Sequence, residues 1–136
     1  MTTEGKTLEG SCRCGKVSYR VTGEPGEMGH CHCTDCRKMH GAAFATYVGV
    51  PRSGFAWARG EDQLTTFKVE SGTIRAFCRV CGSTLTSRID SEPENIYIAA
   101  GTLDSTIAKK PEYNIWVRSR VPWFEIRDGL PQKETY

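Results

Sequence analysis

The residues with the greatest capacity for chemistry are seven cysteines in three groups: Cys12 and Cys14 in "SCRCG", Cys31, Cys33 and Cys36 in "HCHCTDC", and Cys78 and Cys81 in "FCRVCG". Each spacing suits metal ligation. Tetrahedral zinc with bonds of about 2.3 Å needs sulfurs about 3.8 Å apart. In a strand, residues i and i+2 share a face, so a CxC pair can converge on one ion. A CxxC followed by Gly turns the chain tightly enough to aim both sulfurs inward, as in a zinc knuckle. Buried free cysteine acting as a small hydrophobe is common for single residues and does not account for the clustering.

Seven thiolates divide most naturally into four plus three. A closed set of four is structural, whereas three protein ligands leave a position for water or substrate. Spacing alone does not fix the pairing: Cys33 and Cys36 with Cys78 and Cys81 would make an ordinary ribbon. Three histidines surround the middle group. Strand alternation turns His30 and His32 away from Cys31 and Cys33, and His40 could reach back only across a helical turn. Any of the three remains a candidate fourth ligand.

The elements that must position these groups are short. In "KVSYRV", Val17, Tyr19 and Val21 fall on one face, and "LTTFKV", "TIRAFC" and "NIYIAA" repeat the period of two. Turn signals at "TGEPGE", "PRSG", "RGED", "ESG", "RVCGS", "DSEPEN" and "KKPE" separate them. A mainly β, largely antiparallel fold is expected, with single helical turns near "CTDCRKM" and "GTLDS". Phe44, Phe55, Trp57, Phe67, Phe77, Trp116, Trp123 and Phe124 are each expected in the core. The loop "VPWFEI" presents Trp123 and Phe124 together, either to cap that core or to wall a pocket. The polar segment "RDGLPQKETY" is expected to be loosely held.

With 136 residues, the chain is expected to form a single domain over 1–136, its core about 10–131 and a loose tail at 132–136. A net charge of +2 from 18 basic and 16 acidic residues gives no basic face for nucleic acid. "MTTEGKTLEG" has no signal-like apolar run, and no apolar segment approaches the ~20 residues of a membrane span, so a cytoplasmic location is expected. In a reducing compartment an odd number of cysteines argues for metal rather than disulfides.

Taken together, "GSCRCGKVSYRVTGEP", "HCHCTDCRKMHGAAF", "FCRVCGSTLTSR", "AAGTLD" and "VPWFEI" resemble the family of glutathione-dependent formaldehyde-activating enzymes and the related centromere protein V, from about Gly10 to Pro131. The resemblance implies an Mss4-like fold, coiled antiparallel sheets built around zinc sites. It also implies two Zn²⁺ per chain, with Cys12, Cys14, Cys78 and Cys81 on a structural zinc and Cys31, Cys33 and Cys36 on a second, open one. The implied activity is that of a carbon–sulfur lyase, in which a small thiol such as glutathione adds reversibly to formaldehyde. Three thiolates leave −1 on a divalent zinc, so a supporting cation is expected, and Arg37 and Lys38 are nearest in sequence. A non-enzymatic, zinc-stabilised binding module of the same fold is the alternative. A homodimer is conceivable through "IWVRSRVPWFEI".

Overall fold

The computed structural model describes residues 7–136. Its elements run β1 (Leu8–Ser11), β2 (Ser18–Val21), β3 (Met28–Cys31), α1 (Thr34–His40), β4 (Ala45–Pro51), β5 (Phe55–Arg59), β6 (Leu64–Lys68), β7 (Thr73–Cys78), β8 (Thr84–Ile89), β9 (Asn95–Ala99) and β10 (Asn114–Ile115). Among the described residues the only α-helix is α1, seven residues long where a single turn was expected near "CTDCRKM", and a 3-10 turn at Ala100–Thr102 overlaps the expected "GTLDS". No helix among them is long and apolar enough to cross a membrane.

Two sheets form, as the mainly β reading requires. The small one is ordered β1-β2-β5 and the large one β10-β3-β4-β9-β8-β7-β6. Pairing is antiparallel except for β10, which lies parallel to β3 with Asn114 opposite His30 and Ile115 opposite Cys31. A two-residue parallel strand carries no alternation to detect, so local pattern gave no warning of it.

The period-two patterns become the buried core. Val17, Tyr19 and Val21 from around β2 meet Met28, Val48, Val50, Leu85, Ile96 and Ile98 of the large sheet. Tyr19 stacks on Phe55 at 5.5 Å, meets the edge of Trp57 at 6.2 Å, and its hydroxyl bonds Thr102 Oγ1 at 2.7 Å. Cys12 and Cys78 belong to this same apolar cluster, so the sheet–sheet interface ends on thiols. Leu85 is fully buried there. Leu85→Ala is expected to cost about 2–5 kcal/mol by lost burial and residual cavity, read as a lowered denaturant midpoint with unchanged slope.

Two expectations need correction. Phe67 is half exposed because β6 is the outer strand of the large sheet and one of its faces has no covering layer. The segment expected to be loose is tied down by backbone bonds: Asn114 N–H donates to the Pro131 carbonyl, Lys133 N–H to Asn114, Trp116 N–H to Thr135 and Val117 N–H to Lys133. These satisfy the side of β10 that β3 does not use. Polar composition concealed this, because backbone pairing requires no apolar side chains.

Candidate metal centres

The first cluster joins the two ends of the sequence pattern. Cys12 and Cys14 follow β1, and Cys78 and Cys81 bracket the turn after β7. The four sulfurs all lie within 4.8 Å of one another. Cys12 Sγ is 3.6 Å from Cys14 Sγ, which is 3.9 Å from Cys78 Sγ, close to the separation that a tetrahedral ion demands. The knuckle turns at Gly82 with φ +83°, where glycine avoids the steric penalty of a side chain. Cys78 N–H donates to the Ser83 carbonyl and Gly82 N–H to the Cys78 carbonyl. Sulfurs also accept from the backbone, Cys12 from Val17 N–H at 3.3 Å and Cys78 from Val80 N–H at 3.4 Å. Arg13 N–H reaches Ser83 Oγ at 2.9 Å and clamps one arm to the other.

The second cluster is Cys31, Cys33 and Cys36, again within 4.8 Å. Cys31 ends β3. Cys33 is the N-cap of α1, and its sulfur accepts the Cys36 N–H at 3.2 Å. One helical turn then returns Cys36 to the same side. Gly41, left-handed at φ 57°, closes the helix. Ile115, Trp116 and Tyr47 pack around the group. Trp116 does so from a left-handed backbone with φ 58°, the only non-glycine residue among those described with positive φ.

The histidines are committed elsewhere. His30 Nδ1 bonds Thr46 Oγ1 at 2.8 Å, and burial lowers its pKa against the pull of Asp128. His32 is buried with Nε2 on Asn114 Oδ1 at 2.8 Å, and Asn114 Nδ2 donates onward to Asp128. His40 Nε2 shares the Tyr47 hydroxyl at 2.8 Å, its pKa pushed down to about 4 by burial and then by Arg75. No histidine joins either sulfur group among the described residues. Alternation within β3 separates His30 from Cys31, whereas His32 lies beyond the strand and is held by Asn114, and the phenol of Tyr47 claims His40.

The cation in contact with this cluster is Arg75, whereas Arg37 and Lys38 are directed elsewhere. Arg37 Nη2 turns to Thr34 Oγ1 at 3.3 Å, and Lys38 lies on the exposed side of α1. Arg75, in the middle of β7, donates from Nη2 to Cys36 Sγ at 3.6 Å and from Nη1 to the Tyr47 hydroxyl at 2.8 Å. Its sequence signal was an arginine inside the strand run "TIRAFC", where a charged residue demands a buried anion or an exposed face. Choosing between those required the order of four strands.

All seven cysteines are free thiols. In the second cluster, hydrogen bonds from Cys31 and Cys36 hold the Cys33 thiol far below its usual range, while bonds to Cys33 and Cys36 push Cys31 far above it. Cys36 is raised as well: its bond with Cys31 acts downwards, but that with Cys33 and burial prevail. Three sulfurs this close cannot all ionise unaided, and a divalent cation among them removes that conflict. The first cluster repeats the pattern. Cys81 is lowered to about 5 by Ser83, and Cys14 is raised to about 11 by burial and neighbouring thiols against the Lys16 N–H. Both clusters therefore fit a soft, thiophilic metal such as zinc, the first with four donors and the second with three.

The loop at Trp123 and Phe124 serves both purposes, with Trp123 lining a pocket beside Arg37, Lys38 and Val121. Phe124 meets Phe44 at 5.6 Å, and Phe44 packs on His30 and His32. Trp123 is 72% exposed and Phe124 43%, so the core expectation fails for both.

Sheets closed at one end by four cysteines, with three more grouped around a helix N-terminus, define a small β protein equipped to hold metal at two thiol clusters. The family described as glutathione-dependent formaldehyde-activating enzyme matches residues 7–119. A Halomonas elongata relative named "Putative glutathione-dependent formaldehyde-activating enzyme" is 30% identical, over 88% of this chain and 80% of its own. An Aspergillus flavus relative of the same name is 29% identical over 63% of this chain, which spans 45% of that protein. A crystal structure of a Rhodobacter sphaeroides protein superposes with a TM-score of 0.62 at 25% identity, covering 74% of this chain and 91% of its own. The chain belongs to the glutathione-dependent formaldehyde-activating family.

Proposed function

We propose that the chain catalyses the reversible addition of a small thiol, glutathione or a relative, to formaldehyde or a similar aldehyde, with Cys31, Cys33 and Cys36 holding the reactive zinc. The carrying observation is the inequality of the two clusters. Cys12, Cys14, Cys78 and Cys81 make a complete tetrahedral donor set, assigned to a structural zinc, while the second group stops at three and no histidine turns in to complete it.

A zinc ion bound there would supply the Lewis acidity that keeps a thiol ionised at neutral pH. The reaction breaks the S–H bond and the carbonyl π bond and forms C–S and O–H bonds, with no net oxidation or reduction. The protein's part is positional. Cys33 caps α1 and so fixes where Cys36 returns, β3 fixes Cys31 between β4 and β10, and Tyr47 holds the Arg75 guanidinium against Cys36. His40 Nε2 bonds the same Tyr47 hydroxyl and so helps to fix it.

NMR exchange spectroscopy on zinc-loaded protein with glutathione and formaldehyde tests this. Enhanced exchange between free thiol and S-hydroxymethyl adduct is the expected result. Exchange no faster than in buffer overturns it for that substrate pair.

A further inference from the structure

We propose that Arg75 is the counterion of the three-cysteine centre, a positioning residue whose fixed positive charge offsets the negative charge that three thiolates leave on a divalent ion. The inference rests on the reading of Cys31, Cys33 and Cys36 as metal ligands and extends it to a residue outside the cysteine motifs.

Arg75 is only 4% exposed. Removing a guanidinium from water is costly and is normally repaid by a carboxylate or a full set of hydrogen bonds. Arg75 has neither. Among the described residues no carboxylate forms an ion pair with it, and its Nε is buried without a partner. Two contacts orient it, Nη1 to the Tyr47 hydroxyl at 2.8 Å and Nη2 to Cys36 Sγ at 3.6 Å. Cysteine sulfur is thus the one group in direct contact that becomes an anion when it binds metal.

A purely structural role fits poorly. An apolar side chain of similar length would fill the same space without the cost of burying a charge. Charge counting gives the alternative its content. Three thiolates and one divalent ion sum to −1, and Arg75 brings the centre to neutrality. A fourth, anionic ligand such as a thiolate then leaves −1 where −2 would otherwise have to be buried. Arg75 therefore favours retention of the metal and, beyond that, an anionic occupant of its open position.

The test is zinc release from the holoprotein to a chromophoric chelator, comparing wild type, Arg75→Met and Arg75→Lys without thiol or aldehyde. Wild type should carry two zinc ions, lost in two separable phases. Arg75→Met should lose one of them at least about tenfold faster, in line with the effect of residues that support metal ligands. The four-cysteine ion should keep its wild-type rate and so report an intact fold. Arg75→Lys should recover most of the difference.

Equal rates in wild type and Arg75→Met overturn the proposal. So does rapid loss of both ions, which would mark a general folding defect, or an Arg75→Lys protein as leaky as Arg75→Met, which would mark guanidinium shape rather than charge. Wild type holding a single zinc overturns this inference together with the function proposed above. If the rates behave as expected while thiol–aldehyde exchange is absent, the counterion role stands and the activity assignment falls.

Discussion

Replacing Cys78 with serine is expected to abolish the folded state at physiological temperature, seen as loss of the cooperative thermal transition in far-UV circular dichroism and of both zinc ions by metal analysis. Cys78 is fully buried where the apolar core meets the four-sulfur cluster. It lies 64 residues from Cys14, whose sulfur it approaches at 3.9 Å. A metal joining segments so distant confines the unfolded chain strongly. Structural zinc contributes on the order of 10–16 kcal/mol in small domains, against a net stability of about 5–15 kcal/mol for an ordinary fold. Serine supplies a poor ligand and places a hydroxyl against the core. A Cys78→Ser protein melting within a few degrees of wild type would show that the four-cysteine group is not the structural centre.

The complementary expectation is for Cys36→Ser, which should leave the fold standing and remove the chemistry. The capping bond of α1 runs from the Cys36 backbone N–H to Cys33 Sγ and does not involve the Cys36 side chain. The apolar cluster between the sheets does not include Cys36 either. Some cost remains, because Arg75 loses its sulfur partner, a loss on the order of 1–3 kcal/mol. The expected result is one retained zinc, a melting temperature lowered by no more than about 10 °C, and thiol–aldehyde exchange reduced at least about 100-fold. The last figure takes the upper end of what ligand-supporting residues contribute as the floor for a ligand itself. Undiminished exchange would place the reactive centre elsewhere.

What could be read from the sequence was whatever depends on spacing. The knuckle at "CRVCG", the helical turn that returns Cys36, and the inward set Val17, Tyr19 and Val21 are all local, and local geometry fixes them; the CxC pairs also converge, though through the turn after β1 for Cys12 and Cys14 and the cap of α1 for Cys33 rather than along a strand face. What escaped depends on which strands are neighbours. Arg75 reaches Cys36 only because β7, β8, β9 and β4 lie side by side in that order. Nothing within a few positions of Arg75 carries that information, and the cations adjacent in sequence were the wrong ones. The pairing of 131–135 with β10 was hidden for a related reason, since backbone hydrogen bonds leave little trace in side-chain composition. The histidines were half legible: alternation in β3 accounts for His30, but His32 lies past the strand, and the partners Thr46 and Asn114 come from other strands.

Strand β7 carries both Arg75 and Cys78, three positions apart and so on opposite faces, with an irregularity between Ala76 and Phe77 in its pairing to β8. A slip of one residue in such a strand exchanges its two faces. Here it would turn Arg75 away from Cys36 and withdraw Cys78 from its cluster in the same movement. The knuckle after β7 would therefore act as a register lock: an ion seated on the four cysteines would accept one alignment of the sheet, and that is the alignment that brings the guanidinium to the other cluster.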